Sequence, residues 1–125
     1  IKKIIVATSR DISNQEIKKV CKKLNIFCFQ GSEEDVIDRY YKAACSFKSK
    51  NIIRITADCP IIDPKIIDQV VELFFNSKAD YATNTMPPTY PDGLDVEVFK
   101  FEALYQAWQN MQTASTFRET ASCST

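Results

Sequence analysis

The chain has 125 residues, which is enough for one domain with a single core, and its 16 acidic and 16 basic residues leave no net charge. That balance argues against a general affinity for nucleic acid or anionic membranes. No apolar run approaches the roughly 20 residues of a transmembrane helix, so we expect neither a nucleic-acid nor a membrane partner.

The residue types available for chemistry are restricted. The chain has no histidine, which excludes Ser-His and Cys-His nucleophilic mechanisms. Its five cysteines are scattered without C-x-x-C spacing, so we expect no zinc site and free thiols in a reducing cytoplasm. Carboxylates, arginines and lysines must carry whatever chemistry the protein performs.

The predicted elements alternate between strand and helix. In chain order the pattern predicts a strand at 4–8, a helix at 13–24, a strand at 26–29, a helix at 32–47, a strand at 52–56, a helix at 63–74, strands at 79–84 and 94–99, and a helix at 101–111. This order is typical of βαβ units and predicts a single α/β domain with a mainly parallel sheet flanked by helices.

The two ends of the chain are expected to differ from the rest. Ile1 already lies at an apolar run, so we expect the domain to be incomplete at the N-terminus. After Met111 the periodicity is lost, and an irregular tail is expected over about residues 112–125. Residues 86–93, Met-Pro-Pro-Thr-Tyr-Pro-Asp-Gly, form a long irregular segment, which we interpret as a substrate loop.

Asp58 is the first candidate for a functional residue. It follows the predicted buried strand at 52–56, and open α/β sheets bind their ligands at the carboxyl ends of such strands. A carboxylate there could hold a divalent cation; the alternative is an Asx-turn that only shapes the chain before Cys59-Pro60. Arg54 lies inside the strand, where a guanidinium needs compensation, so an acidic partner is the favoured prediction for it.

A second group of carboxylates follows the irregular segment. Asp95 and Glu97 are two residues apart in a predicted strand and would share one face of it. Two carboxylates on one face repel each other unless a cation or an arginine lies between them. The pattern therefore fits either a metal or substrate site, or an edge strand with a solvated acidic face.

A third candidate region surrounds Ser32. This residue is a candidate N-cap of a helix, where free backbone N–H groups can bind a nucleotide, and Arg39 lies two turns further on. Gly31 and Gly93 are the two glycines of the chain, so it contains neither a G-x-G-x-x-G loop nor a Walker A sequence.

Three blocks of sequence carry a resemblance to a known family. Residues 29–41, 54–64 and 90–99 resemble the spore coat polysaccharide biosynthesis protein F-like cytidylyltransferases, a family related to CMP-KDO and CMP-sialic acid synthetases. The resemblance extends from residue 1 to about residue 108. It implies a three-layer, Rossmann-like sheet of the GT-A nucleotidyltransferase type.

The resemblance also implies an activity and roles for the candidate residues. The expected reaction activates a sugar, a nonulosonic acid or a related compound, as its CMP-sugar from CTP with release of pyrophosphate and dependence on Mg²⁺. Asp58 would bind the metal with the support of Arg54, and Asp95 would lie on the sugar or second-metal side. Nucleotide or sugar contacts are further implied for Ser32, Arg39, Asp92 and Glu97. A homodimer is compatible with the family.

Two departures from the family pattern leave alternatives open. The family begins with a strand and a basic Arg/Ser/Arg/Lys loop that binds the triphosphate, and no such loop precedes Ile1. Arg118-Glu119 matches the family, but Thr120 stands where the family usually has histidine. A GT-A-type glycosyltransferase and a degenerate domain that only binds a nucleotide or a partner are the rival interpretations.

Overall fold

The computed structural model describes the backbone of residues 1–122 and the side chains of residues 1–115. The chain is α/β, as predicted. A short 3-10 helix, Ile12–Asn14, precedes the first α-helix. The elements are β1 (Ile5–Ser9), α1 (Gln15–Lys23), β2 (Phe27–Gly31), α2 (Val36–Ser46), β3 (Asn51–Arg54), α3 (Pro64–Ser77), β4 (Tyr81–Thr83), β5 (Glu97–Lys100) and α4 (Phe101–Ser122).

These elements form two compact units. The first contains Ile1–Lys48 and the α4 residues from Ala107 onward, and the second is Ser49–Gln106. The assignment of residues 1–125 to a single domain stays a prediction, because one domain can be built from two such units.

The first unit contains a parallel strand pair. β1 pairs with β2 in register from Ile5 opposite Phe27 to Ser9 opposite Gly31, and α1 connects the two strands. The connection through a helix is what parallel neighbours require. The buried Cys21 of α1 and the buried Ala43 and Ala44 of α2 mark the sides of these helices that are turned away from solvent. This unit confirms the predicted βαβ order.

Trp108 of α4 is anchored on α2 within the first unit. Its indole N–H donates a 2.9 Å hydrogen bond to Oδ1 of Asp38, and its ring stacks on Tyr41 with centroids 4.3 Å apart. Nζ of Lys42 lies 2.8 Å from Oδ2 of the same aspartate. Burial raises the pKa of Asp38, but the hydrogen bonds from Lys42 and Trp108 together outweigh it, and the pKa lies below its ordinary value.

We expect the Asp38 contacts to make stability depend on acidity. The pKa of Asp38 is lower in the folded protein than in the unfolded chain, so ionised Asp38 stabilises the fold. This stabilisation is complete above the ordinary carboxyl pKa and is lost as the pH falls through the pKa of Asp38 in the folded protein. Urea unfolding between pH 6 and pH 3, followed by fluorescence of Trp108, the single tryptophan, measures this loss. Asp38→Asn should flatten the slope of stability against pH, and an unchanged slope would contradict the assignment.

The second unit contains an antiparallel sheet of order β3-β5-β4. β5 runs antiparallel to both neighbours, so β3 and β4 run in the same direction with α3 connecting them. The prediction of a mainly parallel sheet is therefore wrong for this unit. The physical reason is that no helix lies between β4 and β5, and without a crossover helix consecutive strands pair antiparallel.

Helix α3 covers one face of this sheet. Asp63 caps the helix by accepting a 2.9 Å hydrogen bond from the N–H of Lys65, and Pro64 occupies the first turn, as predicted. Buried residues of α3 pack against strand residues and Val96 in one apolar core. This core consists of Ile66, Ile67, Val70, Phe74, Ala82, Val96 and Val98. It holds fixed the strands that carry the candidate site.

Several element boundaries differ from the prediction. β3 ends at Arg54 rather than at residue 56, and β5 begins at Glu97 rather than at residue 94. α4 continues to Ser122, so the expected irregular tail is wrong for residues 112–122, while residues 123–125 lie outside the described part. Neither proline nor glycine follows Gly93, so nothing in the sequence breaks the helix. No helix of the described residues is long and apolar enough to cross a membrane.

Candidate functional site

Asp58 lies in a tight turn that follows β3. The N–H of Cys59 donates a 3.2 Å hydrogen bond to the carbonyl of Thr56, which closes the turn. Within it, the hydroxyl of Thr56 donates to Oδ1 of Asp58, and the thiol of Cys59 donates to the same oxygen over 3.7 Å. The Asp58 side chain is otherwise exposed to solvent. The carboxylate is thus oriented by its own turn and open to a ligand.

The surroundings of Asp58 favour its charged form. The Thr56 hydroxyl is the main cause of a pKa below the ordinary value, with smaller contributions from a backbone N–H, the Cys59 thiol and the positive charge of Arg54. The carboxylate therefore stays ionised at neutral and mildly acidic pH. The side chain thus stabilises the turn, as an Asx-turn would, and also presents a negative charge to solvent, as a metal ligand must.

Arg54 forms an ion pair across the sheet. Its Nη1 contacts Oε2 of Glu97, directly opposite on β5, which confirms the prediction of an acidic partner. Oε1 of Glu97 accepts a 2.7 Å hydrogen bond from the hydroxyl of Tyr81 on β4. Burial is the main cause that raises the pKa of Tyr81, and the hydrogen bond to Glu97 and the negative charge of that residue raise it further. Both oxygens of Glu97 are thus used within the sheet, which favours a structural role for Arg54 and Glu97.

Asp95 and Asp92 lie in the segment that leads into β5. Asp95 is half-buried and precedes the strand, so the prediction that it and Glu97 share a face of one strand is wrong. The reason is local, since the side chain of Asn84 takes the place of a neighbouring strand opposite residues 94–96. Asp92 is exposed. Of the predicted site residues in this unit, Glu97 and Arg54 are brought together by direct contact.

The donor set of the second unit is compatible with Mg²⁺. Within the described residues no three histidine, cysteine, aspartate or glutamate side chains form a ligand cluster. Mg²⁺ does not require one, because it keeps several waters and is bound by one or two carboxylates together with substrate phosphates. Asp58, which is ionised, exposed and oriented, fits that requirement. The metal role of Asp95 stays a prediction.

The turn after β2 holds the other candidate residues, in the first unit. α2 begins at Val36 and is capped by Asp35, which accepts a 2.8 Å hydrogen bond from the N–H of Asp38. Ser32 is therefore not the helix cap, contrary to the prediction; it accepts a 3.0 Å hydrogen bond from the N–H of Asp35 and so closes the turn ahead of the helix. Aspartate caps as well as serine, so composition alone could not distinguish them.

Arg39 supports the same turn from α2. Its Nη1 donates a 2.8 Å hydrogen bond to the carbonyl of Ser32. A Cβ atom at Gly31 would lie 2.8 Å from Cγ of Arg39, which shows how closely the arginine stem packs there. The Nε of Arg39 and the Nε2 of Gln30 are buried donors without a hydrogen-bond partner among the described residues. The structure thus brings Ser32 and Arg39 into direct contact.

An open pocket of about 370 Å³ lies at the carboxyl ends of β1 and β2. Ser32 lines it, together with two cations that the sequence analysis missed, Arg10 and Lys42, and with three carboxylates, those of Asp11, Glu33 and Asp38. Arg10 directly follows β1, so the strand-end argument used for Asp58 could have identified it; Lys42 gave no such signal. A larger cavity, of about 740 Å³, lies at the opposite ends of these strands, away from the edge at which α/β sheets bind ligands.

We expect Gly31→Ala to destabilise the protein by about 1–3 kcal/mol, the usual cost of overpacking, because the new methyl group must displace the stem of Arg39. Urea unfolding measures the change. In an Arg39→Ala background the loss of stability caused by Gly31→Ala should be smaller. Gly93→Ala is the matched control. Its φ of +95° makes alanine strained, but beyond its two chain neighbours no atom of the described residues lies within 4 Å of the new Cβ, so its cost should not depend on Arg39. Equal costs of Gly31→Ala in both backgrounds would contradict this packing.

An α/β architecture with polar side chains at the strand ends is typical of proteins that bind ligands at that edge of the sheet. The model of the family described as "Cytidylyltransferase" matches residues 1–124. The chain belongs to this cytidylyltransferase family, and the resemblance inferred from the three sequence blocks is confirmed.

Individual relatives agree with the family. The chain is 38% identical over 107 residues to uncharacterized protein MJ1063 of Methanocaldococcus jannaschii, an alignment that covers 86% of this chain and 43% of that protein. It is 35% identical over 78 residues to the spore coat polysaccharide biosynthesis protein SpsF of Bacillus subtilis, with 62% of this chain and 32% of that protein covered.

A solved structure is also similar. The structure of a cytidylyltransferase from Leptospira borgpetersenii superposes with a TM-score of 0.77 at 34% identity, covering 82% of this chain and 44% of that chain. The fold is therefore that of a cytidylyltransferase. The aligned part spans less than half the length of each of these relatives.

Proposed function

We propose that the protein is a metal-dependent sugar cytidylyltransferase, which forms a CMP-sugar and pyrophosphate from CTP and a sugar. Membership of the cytidylyltransferase family supports the reaction class. The observation that carries the proposal is Asp58, an ionised and exposed carboxylate whose Oδ1 is oriented by the hydroxyl of Thr56. The name of the Bacillus subtilis relative supports a place in surface polysaccharide biosynthesis.

In this reaction an oxygen of the sugar attacks the α-phosphorus of CTP, and the bond to the bridging oxygen of the β-phosphate breaks. A bound Mg²⁺ would neutralise charge on the phosphate oxygens. Asp58 would hold that ion, with Asp95 as the second carboxylate. Thr56 and Cys59 keep Oδ1 of Asp58 oriented, and Arg54 contributes positive charge nearby. The protein thus acts chiefly by positioning the reactants.

The pocket beside Ser32 is the proposed nucleotide contact. Its lining combines the cations Arg10 and Lys42 with the carboxylates Asp11, Glu33 and Asp38 and the turn residues Gly31 and Ser32. The positive charge of Arg10 attracts a polyanionic nucleotide, but the carboxylates outnumber the cations and Lys42 is paired with Asp38, so the nucleotide contact is proposed from the role that the resemblance implies for Ser32. Asp92 would contact the sugar. Glu97 and Arg54 are assigned to support of the sheet rather than to substrate contact.

The remaining parts of the proposal follow from the family. The sugar is a nonulosonic acid or a related compound, the enzyme works in the cytoplasm, and the subunits form a homodimer. The sheet would complete the three-layer arrangement of GT-A-type nucleotidyltransferases. Each of these statements depends on the resemblance and not on a contact within the described residues.

Pyrophosphate release by the full-length natural protein tests the reaction. We expect release from CTP in preference to UTP, GTP and ATP, and only when both Mg²⁺ and a nonulosonic acid are present. Release of a nucleoside diphosphate from a sugar nucleotide would instead indicate a GT-A-type glycosyltransferase. Binding of CTP without turnover of any sugar in a broad panel would indicate a degenerate binding domain, and both outcomes would refute the proposal.

A further inference from the structure

Asn84 is a buried residue just after β4, and its side chain bridges two backbone groups further along the chain. Its Nδ2 donates a 2.7 Å hydrogen bond to the carbonyl of Leu94, and its Oδ1 accepts a 2.9 Å hydrogen bond from the N–H of Val96. These two groups belong to the peptide units on either side of Asp95. A single amide side chain, here called the Asn84 bridge, therefore holds both peptide units of Asp95.

The backbone of Asn84 fixes the base of the same loop. Its N–H donates to the carbonyl of Val96 over 3.4 Å. Its carbonyl accepts hydrogen bonds from the N–H and the hydroxyl of Thr89, at 3.1 and 3.2 Å. Asn84 thus joins both ends of the segment that carries Asp92 and Asp95.

No smaller side chain at position 84 can make both hydrogen bonds of the Asn84 bridge. Asn84 is 8% exposed and Val96 is fully buried, so water cannot take over the freed bonds at Val96. A primary amide offers a donor and an acceptor side by side, as a peptide group does, whereas alanine offers neither and serine satisfies only one partner. Buried backbone groups left without partners are costly, and the chain around Asp95 would relax to satisfy them.

We propose that Asn84 is a positioning residue for Asp95, setting the backbone from which this carboxylate reaches the sugar or its metal. The inference rests on the proposed function, in which Asp95 acts on that side of the site. Asn84 contacts neither substrate nor metal in this account. Its influence passes through the two peptide groups that flank Asp95.

A double-mutant cycle in the full-length natural protein tests this role. We expect Asn84→Ala to lower kcat/KM for pyrophosphate release about tenfold in the wild-type background and less than twofold in an Asp95→Asn background, because residues that act through one another are not additive. Asn84→Ser keeps one of the two hydrogen bonds, so its kcat/KM should lie between those of the wild type and Asn84→Ala. It takes the place of Asn84→Ala in the cycle if the alanine variant does not fold. Equal losses in both backgrounds would show a merely structural role and overturn the proposal.

Hydrogen exchange separates this inference from the proposed function. In Asn84→Ala the Val96 amide should exchange at least about tenfold faster relative to the amides of β5, since its acceptor is gone. Thr83→Val is the matched control: it removes a 3.0 Å side-chain bond to the Val96 carbonyl, one peptide beyond Asp95, and should leave kcat/KM within twofold. Unchanged Val96 exchange would overturn the Asn84 bridge itself. Absence of pyrophosphate release in the wild type would refute the proposed function, and with it the role of Asp95.

Discussion

Asp58→Asn should lower the rate of pyrophosphate release from CTP by at least about 100-fold, equivalent to about 2.7 kcal/mol of transition-state stabilisation. The amide keeps the size of the carboxylate and can still accept the hydrogen bond from Thr56, so the turn is preserved. What is lost is the negative charge that we assign to Mg²⁺. The rate should be measured at saturating CTP and sugar over a range of Mg²⁺ concentrations.

The matched control is Asp68→Asn, which removes an exposed carboxylate from α3 in the same unit. Its rate should stay within twofold of the wild type. If Asp58→Asn also stays within about twofold, the metal assignment is wrong, and Asp58 serves only to shape the turn before Cys59 and Pro60. An intact urea transition in both variants would show that the comparison concerns chemistry and not folding.

Glu97→Ala should destabilise the protein by about 2 kcal/mol. The side chains of Arg54 and Glu97 are 31% and 23% exposed, so their ion pair lies between exposed pairs, worth about 0–1 kcal/mol, and fully buried pairs, whose disruption costs about 3–5 kcal/mol. The variant also removes the acceptor of the Tyr81 hydroxyl. Urea unfolding at pH 7 measures the change in the free energy of unfolding.

A second ion pair of the same unit, between Asp80 just before β4 and Lys100 of β5, provides the control. Asp80 lies 2.6 Å from Nζ of Lys100 and is 76% exposed, so Asp80→Ala should change stability by less than about 0.5 kcal/mol. If Glu97→Ala leaves stability equally unchanged but raises the KM for the sugar, Glu97 is a substrate residue and our structural assignment is wrong. The free energy of unfolding of the double variant Arg54→Met/Glu97→Leu should be nearer to that of the wild type than the value for Arg54→Met alone. The double variant leaves no carboxylate facing an apolar replacement.

The features that the sequence predicted correctly depend on local rules. Asp63 and Pro64 start α3 because a cap and a first-turn proline act within one helical turn. The acidic partner of Arg54 followed from the cost of a guanidinium in a strand, although its identity as Glu97 came only from the sheet register. The family followed from three blocks whose order and spacing are specific.

The features that the sequence could not reveal depend on distant contacts. Asp38 accepts a hydrogen bond from Trp108, 70 residues away, and no periodicity in α2 indicates that contact. The Asn84 bridge spans 10 and 12 residues and replaces strand pairing before β5, which is why the predicted strand at 94–99 began too early. The direction of β5 is an exception, because the sequence shows that no crossover helix lies between β4 and β5, and the antiparallel pairing could have been predicted from it.

The fate of the α-phosphate tests the central claim most directly. The full-length natural protein should be incubated with CTP labelled at the α-phosphorus, a nonulosonic acid and Mg²⁺, and the products separated. We expect the label in a CMP-sugar, with unlabelled pyrophosphate formed in equal amount. Label that remains in CTP, or that appears only as free CMP without a sugar conjugate, would contradict the assignment of this protein as a sugar cytidylyltransferase.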